Sequence, residues 1–229
     1  MKTFFVFSVF CLPLRPKIET QTTMEAREHI METSLSLFYA RGCKAVTMDD
    51  IASATGISKR TLYEHFTDKE ALLTSTLQWW EQQNQQVAEA LSKEAENTLD
   101  ILLKIHHYQS EQIVQMSIDL MSDIRRYYPQ VFKNTILVSR ERHRERTKAF
   151  LVRGQQEGIF RTDININIDL INDFFETMMY YFVHDNRREW LQKYSYRELF
   201  RCTAICFIRG ISTEKGIKYL DEHYINNND

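Results

Sequence analysis

The sequence predicts an all-α protein, and three observations indicate this class. Gly and Pro number 6 and 3 among 229 residues, which is about 4 % of the chain against roughly 12 % in average soluble domains. Folds rich in β-structure need many tight turns, for which Gly and Pro are the usual residues. Apolar residues recur at helical spacing along most of the chain, and capping sequences or single glycines stand at the ends of these segments.

The overall composition excludes several classes of protein. Hydrophobic residues make up 43 % and charged residues 26 %, so the chain is not largely disordered. The formal net charge is −2, and no apolar stretch approaches the roughly 20 residues that span a bilayer. The four cysteines include no Cys-x-x-Cys pair, the spacing typical of zinc sites, so we expect no metal site. We also expect no cofactor. This cysteine usage suits a reducing cytosol, and we expect a cytoplasmic protein.

The first 23 residues differ in character from the rest of the chain. The run MKTFFVFSVFCL has a lysine followed by a short apolar stretch, as in secretory signals. No Ala-x-Ala-like cleavage site follows, and Met24 opens a helical segment. We therefore expect residues 1–23 to be an N-terminal extension that is disordered or not native.

Residues 24–70 contain signals for three short helices and the start of a fourth. Hydroxyl residues followed by a carboxylate three positions later predict helix starts, and glycines predict helix ends. The expected order is a helix over Ala26–Arg41 closed by Gly42, a helix opened by the capping box Thr47–Asp50 and ended by Gly56, a helix from Ser58 to about His65, and a capping box at Thr67–Glu70.

Longer helices are predicted beyond this point, with few connections. A corner is expected at Tyr127–Pro129, a helix end at Gly158, and a loop over residues 161–167. The predicted helices cover residues 71–96, 98–126, 130–135, 138–157, 168–184 and 196–219.

The spacing within residues 47–69 is typical of a helix-turn-helix. Ala52 is small enough to let the next helix approach, and Gly56 lies where the turn requires a positive φ. Ile57 and Leu62 supply apolar contacts on the other side of this turn. The third helix is about two turns long and is rich in exposed hydrogen-bond donors, which suits the acceptors of the DNA major groove.

These residues resemble the TetR family of bacterial transcriptional regulators over about 45 positions. The resemblance implies an all-α homodimer, in which residues 24–70 form a helix-turn-helix domain that binds a palindromic operator. It further implies that residues 71–229 form a larger helical domain that binds a small-molecule inducer and dimerises. The matching residues are Arg27, Ile30, Leu37, Phe38, Gly42, Thr47, Asp50–Ala52, Gly56–Ser58, Thr61–Tyr63, His65, Phe66, Lys69, Glu70, Leu72 and Leu73.

Roles in DNA binding can be assigned residue by residue. Hydroxyls at helix N-termini are suited to phosphate, and a guanidinium can bridge guanine O6 and N7, so we expect Lys59 and Arg60 to read bases. Arg60 differs from the smaller residue common in the family, which leaves open the bases read. The resemblance implies backbone contacts by Tyr63 and His65 and a phosphate contact by Lys69. The expected DNA-binding residues are Thr47, Ser58, Lys59, Arg60, Thr61, Tyr63, His65 and Lys69.

Charge is the objection to this interpretation, because residues 24–70 hold six basic and eight acidic side chains. Nucleic-acid-binding domains are usually basic. We expect the distribution of charge to decide, with four of the cations around the docking face and the glutamates of the first helix away from it. The four cations are Lys44, Lys59, Arg60 and Lys69.

The apolar residues of the later helices have two interpretations, ordinary core packing and a functional surface. A four-helix dimer interface is expected at Phe174, Phe175, Met178, Phe182, Phe200, Ala204, Phe207, Gly210 and Ile211. An inducer pocket for a hydrophobic molecule is expected among Trp79, Trp80, Tyr108, Met116, Met121, Tyr127 and Met178.

Two other classes of function remain as alternatives, a small helical enzyme and an exported helical binding protein. The sequence shows no Gly-rich phosphate loop, no His-Glu-x-x-His and no nucleophile elbow. The apolar first residues would suit an exported protein, but the helix-turn-helix would not. We expect a ligand-responsive repressor and not an enzyme.

Overall fold

The computed structural model describes residues 26–112, 119–163, 167, 170, 193 and 205–225. These residues confirm the all-α class, and among them the one β-type pairing is an isolated antiparallel bridge between Phe160 and Ser212. The helices are α1 Ala26–Ala45, α2 Met48–Thr55, α3 Lys59–His65, α4 Lys69–Lys93, α5 Thr98–Gln112, α6 Asp119–Tyr127, α7 Pro129–Val131, a π-helical segment Phe132–Leu137, α8 Val138–Gln156, α9 Cys206–Ile211, α10 Glu214–Leu220 and a second π-helical segment Asp221–Ile225.

The described residues divide into two units. The N-terminal unit lies within Leu12–Asn84 and Gln112–Arg140, and the second unit lies within Gln85–Glu111 and Glu141–Asp229. The N-terminal unit therefore contains α6 and α7 as well as the predicted helix-turn-helix, and α6 packs on α1. One hydrophobic core joins these elements, with Phe38, Ile51, Leu62, Leu72, Leu73, Leu120, Ile124 and Val131 among its buried members.

The end of α1 departs from the expected simple stop. Gly42 has φ 74° and ψ 153°, a backbone conformation that glycine tolerates and other residues avoid. The chain kinks there and returns to helix as far as Ala45. Gly42 breaks the helix as predicted, but three more residues follow in helical form.

The starts of α2 and α3 match the predicted caps. The Thr47 side chain accepts a hydrogen bond from Asp50 N at 3.1 Å, and the Asp50 carboxylate accepts one from Thr47 N at 2.7 Å. Ser58 Oγ accepts from Thr61 N at 3.0 Å, and Gly56 closes α2 with φ 70°.

The N-cap of α4 lies one residue later than predicted. Asp68 Oδ1, not the Thr67 hydroxyl, accepts the hydrogen bond from Ala71 N at 2.8 Å. The Asp68 carboxylate stands one residue before Lys69, the first residue of α4, where the positive end of the helix dipole also stabilises its charge. The helix ends at Lys93, a few residues before the predicted limit.

The predicted separate helix over 130–135 is wrong as an isolated element. Pro129 stands at the first position of α7, where its missing N–H costs nothing, and the chain continues through the π-helical segment into α8 without a loop. α8 ends as expected before Gly158, which has φ 70°.

The second unit also corrects the predicted helix over 196–219. α9 ends at Ile211, Ser212 is extended, and Thr213 caps α10 by accepting a hydrogen bond from Gly216 N. The break is held by hydrogen bonds from Arg161 N to Ile211 O at 2.8 Å and from Thr213 N to Ile159 O at 2.9 Å. This long-range pairing replaces helical hydrogen bonds, and helical spacing alone does not reveal it.

The core of the second unit is formed by α5, α8 and the segments around the bridge, with buried residues that include Leu99, Ile101, Phe150, Ile159, Phe160, Ile208 and Leu220. Across the part of the chain that the structure describes, no helix combines the length and apolarity needed to cross a membrane.

Candidate nucleic-acid interface

The helix-turn-helix is built on the turn between α2 and α3. Gly56 N donates to Ser53 O at 3.3 Å, and Ile57 N donates to Ala52 O at 3.1 Å. Ala52 is buried, as the close approach of the next helix requires. The small residue, the left-handed glycine and the capped third helix thus occupy the positions that the sequence predicted.

α3 is a short helix with one buried side chain. Leu62 is 0 % exposed and anchors the helix in the core of the N-terminal unit. The Arg60 side chain is 90 % exposed, and Tyr63 is 43 % exposed. The face away from the core is therefore open to a partner along the length of the helix.

Both predicted base-reading cations hold an acidic partner. Lys59 Nζ lies 2.7 Å from Asp49 Oδ1, and Arg60 Nε lies 3.2 Å from Glu64 Oε1. The hydrogen bond to Asp49 raises the pKa of the Lys59 ammonium. Such solvent-exposed pairs contribute little to stability, so DNA can displace the carboxylates at small cost. The sequence pattern alone does not place Asp49 and Glu64 at the docking face.

The hydroxyl groups differ in what they can offer to a phosphate. Thr47 Oγ1 donates its one proton to Asp50 Oδ2 at 2.6 Å, so in this structure it is an acceptor and a helix cap. Ser58 Oγ and Thr61 Oγ1 are 2.8 Å apart and share one hydrogen bond. Two hydroxyls hold two protons and one proton is used between them, so the Ser58–Thr61 pair has one left for a phosphate oxygen.

Lys69 lies at the start of α4, and its side chain is partly covered. Its Nζ donates to Lys44 O at 3.4 Å and lies 5.7 Å from the centre of the Tyr128 ring. Burial lowers the pKa of this ammonium, although nearby Asp123 and Asp50 oppose the shift. The contacts with Lys44 O and the Tyr128 ring fix the position of this ammonium at the junction of α1 and α4.

One residue that fixes the end of α3 received no role from the sequence. Arg27 Nη1 donates to the His65 carbonyl at 2.8 Å, and its guanidinium lies 4.3 Å from the centre of the buried Phe66 ring. The arginine thus ties the first turn of α1 to the C-terminus of α3. Its place in the matching motif was visible, but its partner was not.

The predicted pocket residues fall in different environments. Trp79 is buried and Trp80 half-buried in the N-terminal unit, whereas Tyr108 is half-buried in the second unit, where burial raises the pKa of its hydroxyl. Tyr127 is 39 % exposed and lies at the surface of the N-terminal unit. Met116, Met178 and the side chain of Met121 lie outside the described residues.

Three of the predicted dimer residues are described, all in α9. Ile211 is buried in the core of the second unit, Phe207 packs against that core, and Gly210 is exposed. A Cβ added at Gly210 would meet no described heavy atom within 4 Å. The remaining predicted interface residues lie outside the described part of the chain, namely Phe174, Phe175, Met178, Phe182, Phe200 and Ala204.

Comparison with known proteins identifies the N-terminal segment. Residues 30–76 match the model of the bacterial regulatory proteins of the tetR family. The HTH-type transcriptional regulator YerO of Bacillus subtilis is 46 % identical over 56 residues, which are 24 % of this chain and 19 % of that protein. The HTH-type transcriptional repressor KstR2 of Mycolicibacterium smegmatis is 23 % identical over 151 residues, covering 62 % of this chain and 71 % of that protein.

A solved structure extends the similarity of fold beyond this segment. A TetR-family transcriptional regulator from Agrobacterium tumefaciens superposes with a TM-score of 0.66 at 15 % identity, covering 82 % of this chain and 98 % of that one. At this identity the match shows the fold alone. The relatives are named as transcriptional regulators, not as enzymes.

Proposed function

Because this chain belongs to the TetR family of bacterial regulatory proteins, we propose that it is a homodimeric repressor that a small hydrophobic molecule releases from a palindromic operator. Residues 24–70 bind DNA in this proposal, and residues 71–229 bind the ligand and dimerise, in the cytoplasm. The observation that carries the proposal is the capped and anchored α3, whose outer face presents Arg60 and Tyr63 to solvent.

The mechanism requires two copies of α3 at a fixed spacing. Two recognition helices enter successive major grooves when they lie roughly 34–36 Å apart. A ligand that binds better to a dimer with another spacing increases the fraction of dimers in that conformation. The fraction that can bind the operator therefore falls. The exposed Gly210 on α9 supports a helix–helix contact between subunits, since a glycine there permits close approach.

Unpartnered donors in α4 support a ligand with an acceptor group. The indole N–H groups of Trp79 and Trp80 and the hydroxyl of Thr76 are buried, and none of them has a hydrogen-bond partner among the residues that the structure describes. Positions 76, 79 and 80 share one face of a helix. A buried donor without a partner is costly, and an acceptor that reaches it recovers this free energy. Apolar surroundings with such donors suit an apolar molecule that carries oxygen acceptors.

Selection of duplexes from a fragmented genome or a random pool by the full-length protein tests DNA recognition. We expect enrichment of a palindrome with half-site centres about one helical turn apart. Arg60→Ala is expected to lower discrimination at one base pair of each half-site by about tenfold or more. Lys69→Ala is expected to weaken binding to all sequences alike and to flatten the salt dependence. Absence of any enriched sequence at low salt contradicts the proposal.

The ligand step is tested separately with anilinonaphthalene sulfonate, an apolar dye that carries an acceptor. We expect the dye to bind with a fluorescence increase, to weaken binding to the selected duplex, and to bind less tightly to Trp79→Phe. Phe keeps an aromatic ring but removes the N–H donor. Dye affinity that is unchanged in Trp79→Phe removes the indole from the proposed site.

A further inference from the structure

A patch of cations and an aromatic ring lies where α6 meets the end of α1. We call Lys44, Arg126 and Tyr127 the α6 patch. Lys44 Nζ donates to the Tyr127 hydroxyl at 3.0 Å and lies 4.6 Å from the centre of its ring. The Arg126 guanidinium lies 5.5 Å from the centre of the same ring. Two positive charges are thus held at one exposed tyrosine.

Among the described residues, the charges of the α6 patch have no acidic partner, unlike those of α3. Lys59 and Arg60 form ion pairs with Asp49 and Glu64. Within the described part of the chain, neither the Lys44 ammonium nor the Arg126 guanidinium forms an ion pair. The nearby Asp123 carboxylate accepts from the Lys44 backbone N at 2.7 Å and not from its ammonium. These two charges remain available to an anion from outside the chain.

The α6 patch is continuous with the candidate nucleic-acid interface. Lys69 Nζ donates a hydrogen bond to Lys44 O at 3.4 Å. The predicted phosphate-binding lysine is therefore in direct contact with a residue of the α6 patch. Lys44 also lies three residues before Thr47, the N-cap of α2. All of these residues belong to the N-terminal unit.

We propose that the α6 patch is a further phosphate-binding site for duplex DNA, outside the contacts made by α2, α3 and the start of α4. The Lys44 ammonium and the Arg126 guanidinium each bind a backbone phosphate in each half-site, and the Tyr127 ring and hydroxyl hold the two cations in place. Phosphate contacts fix register and add affinity without reading sequence. This inference rests on the proposed function, because it requires that α3 docks on a duplex.

Arg126→Gln provides the test, with Arg125→Gln as the charge-matched control. Arg125 is also exposed, but its guanidinium lies 5.9 Å from the Phe132 ring and not at Tyr127. Affinity for the selected duplex is measured for the wild type and both variants from low to moderate salt. Each lost phosphate contact makes the slope of log affinity against log salt shallower by about 0.9. We expect a change of about twice that in a symmetric dimer of Arg126→Gln, and none in Arg125→Gln.

Ethylation of single phosphates locates the contact. In the wild type, we expect one phosphate per half-site whose ethylation weakens binding but no longer matters in Arg126→Gln. Equal slopes in the wild type and Arg126→Gln overturn the α6 patch, as do equal losses in both variants. A wild type that binds no duplex overturns the proposed function instead, so the two failures are distinguishable.

Discussion

Shortening Leu62 to alanine tests how the candidate recognition helix is held. Leu62 is 0 % exposed, and it is the buried residue among the seven of α3. The change removes three carbon atoms, which corresponds to about 2.4 kcal/mol of transfer free energy. A cavity adds to this, because α3 has no second buried side chain that could fill the space. We expect a total loss of about 3–4 kcal/mol in the free energy of unfolding.

Urea unfolding of the full chain, followed by circular dichroism, measures this loss. Leu62→Met is the control, because it nearly conserves volume and is expected to cost less than about 1.5 kcal/mol. Affinity for the selected duplex is expected to fall in Leu62→Ala and to be nearly retained in Leu62→Met. A loss below about 1 kcal/mol in Leu62→Ala would refute the view that this side chain anchors α3.

Three further predictions address other elements. Gly216→Ala places a Cβ 2.5 Å from Ile159 O, so we expect the free energy of unfolding to fall by about 1–3 kcal/mol. Urea unfolding that is unchanged in this variant would contradict the clash. The Cβ added by Gly210→Ala meets no described atom within 4 Å, so we expect no loss of helicity. If α9 packs against its partner, the dimer dissociation constant measured by ultracentrifugation should rise about tenfold. An unchanged constant removes Gly210 from the interface. Hydrogen bonds from the Thr47 side chain and backbone lower the pKa of Asp50, so its stabilisation is complete above the unfolded pKa of about 3.9 and is lost as pH falls through the lower folded value. The difference in unfolding free energy between wild type and Asp50→Asn should therefore shrink below about pH 4, and a constant difference would show that the carboxylate charge is not involved.

Local features of the fold could be predicted from the sequence, because their causes lie within a few residues. The capping box of Thr47 and Asp50 and the positive φ of Gly56 are examples. The start of α4 shows the precision of such reasoning, since Thr67 and Asp68 are both good caps and the sequence does not rank them. Asp68 forms the cap in the structure.

Long-range contacts could not be predicted, because nothing in the spacing of one segment identifies its partner. The break at Ser212 depends on Phe160, which lies far earlier in the chain. The packing of α6 on α1 similarly brings Tyr127 to Lys44. For the candidate interface, the exposed residues of α3 could be identified from the sequence, whereas the acidic partners of Lys59 and Arg60 could not.

The carboxylates beside the exposed face of α3 have a consequence for selectivity. A duplex gains Lys59 or Arg60 as a contact only by displacing Asp49 or Glu64. Each of these exposed ion pairs is weak, so its displacement costs little. A random chromosomal sequence repays this cost only through the field of its backbone, whereas a sequence with a matching acceptor pattern adds hydrogen bonds to the same cations. The carboxylates therefore lower the affinity for every duplex, and the difference between sites comes from the acceptors that the released cations meet.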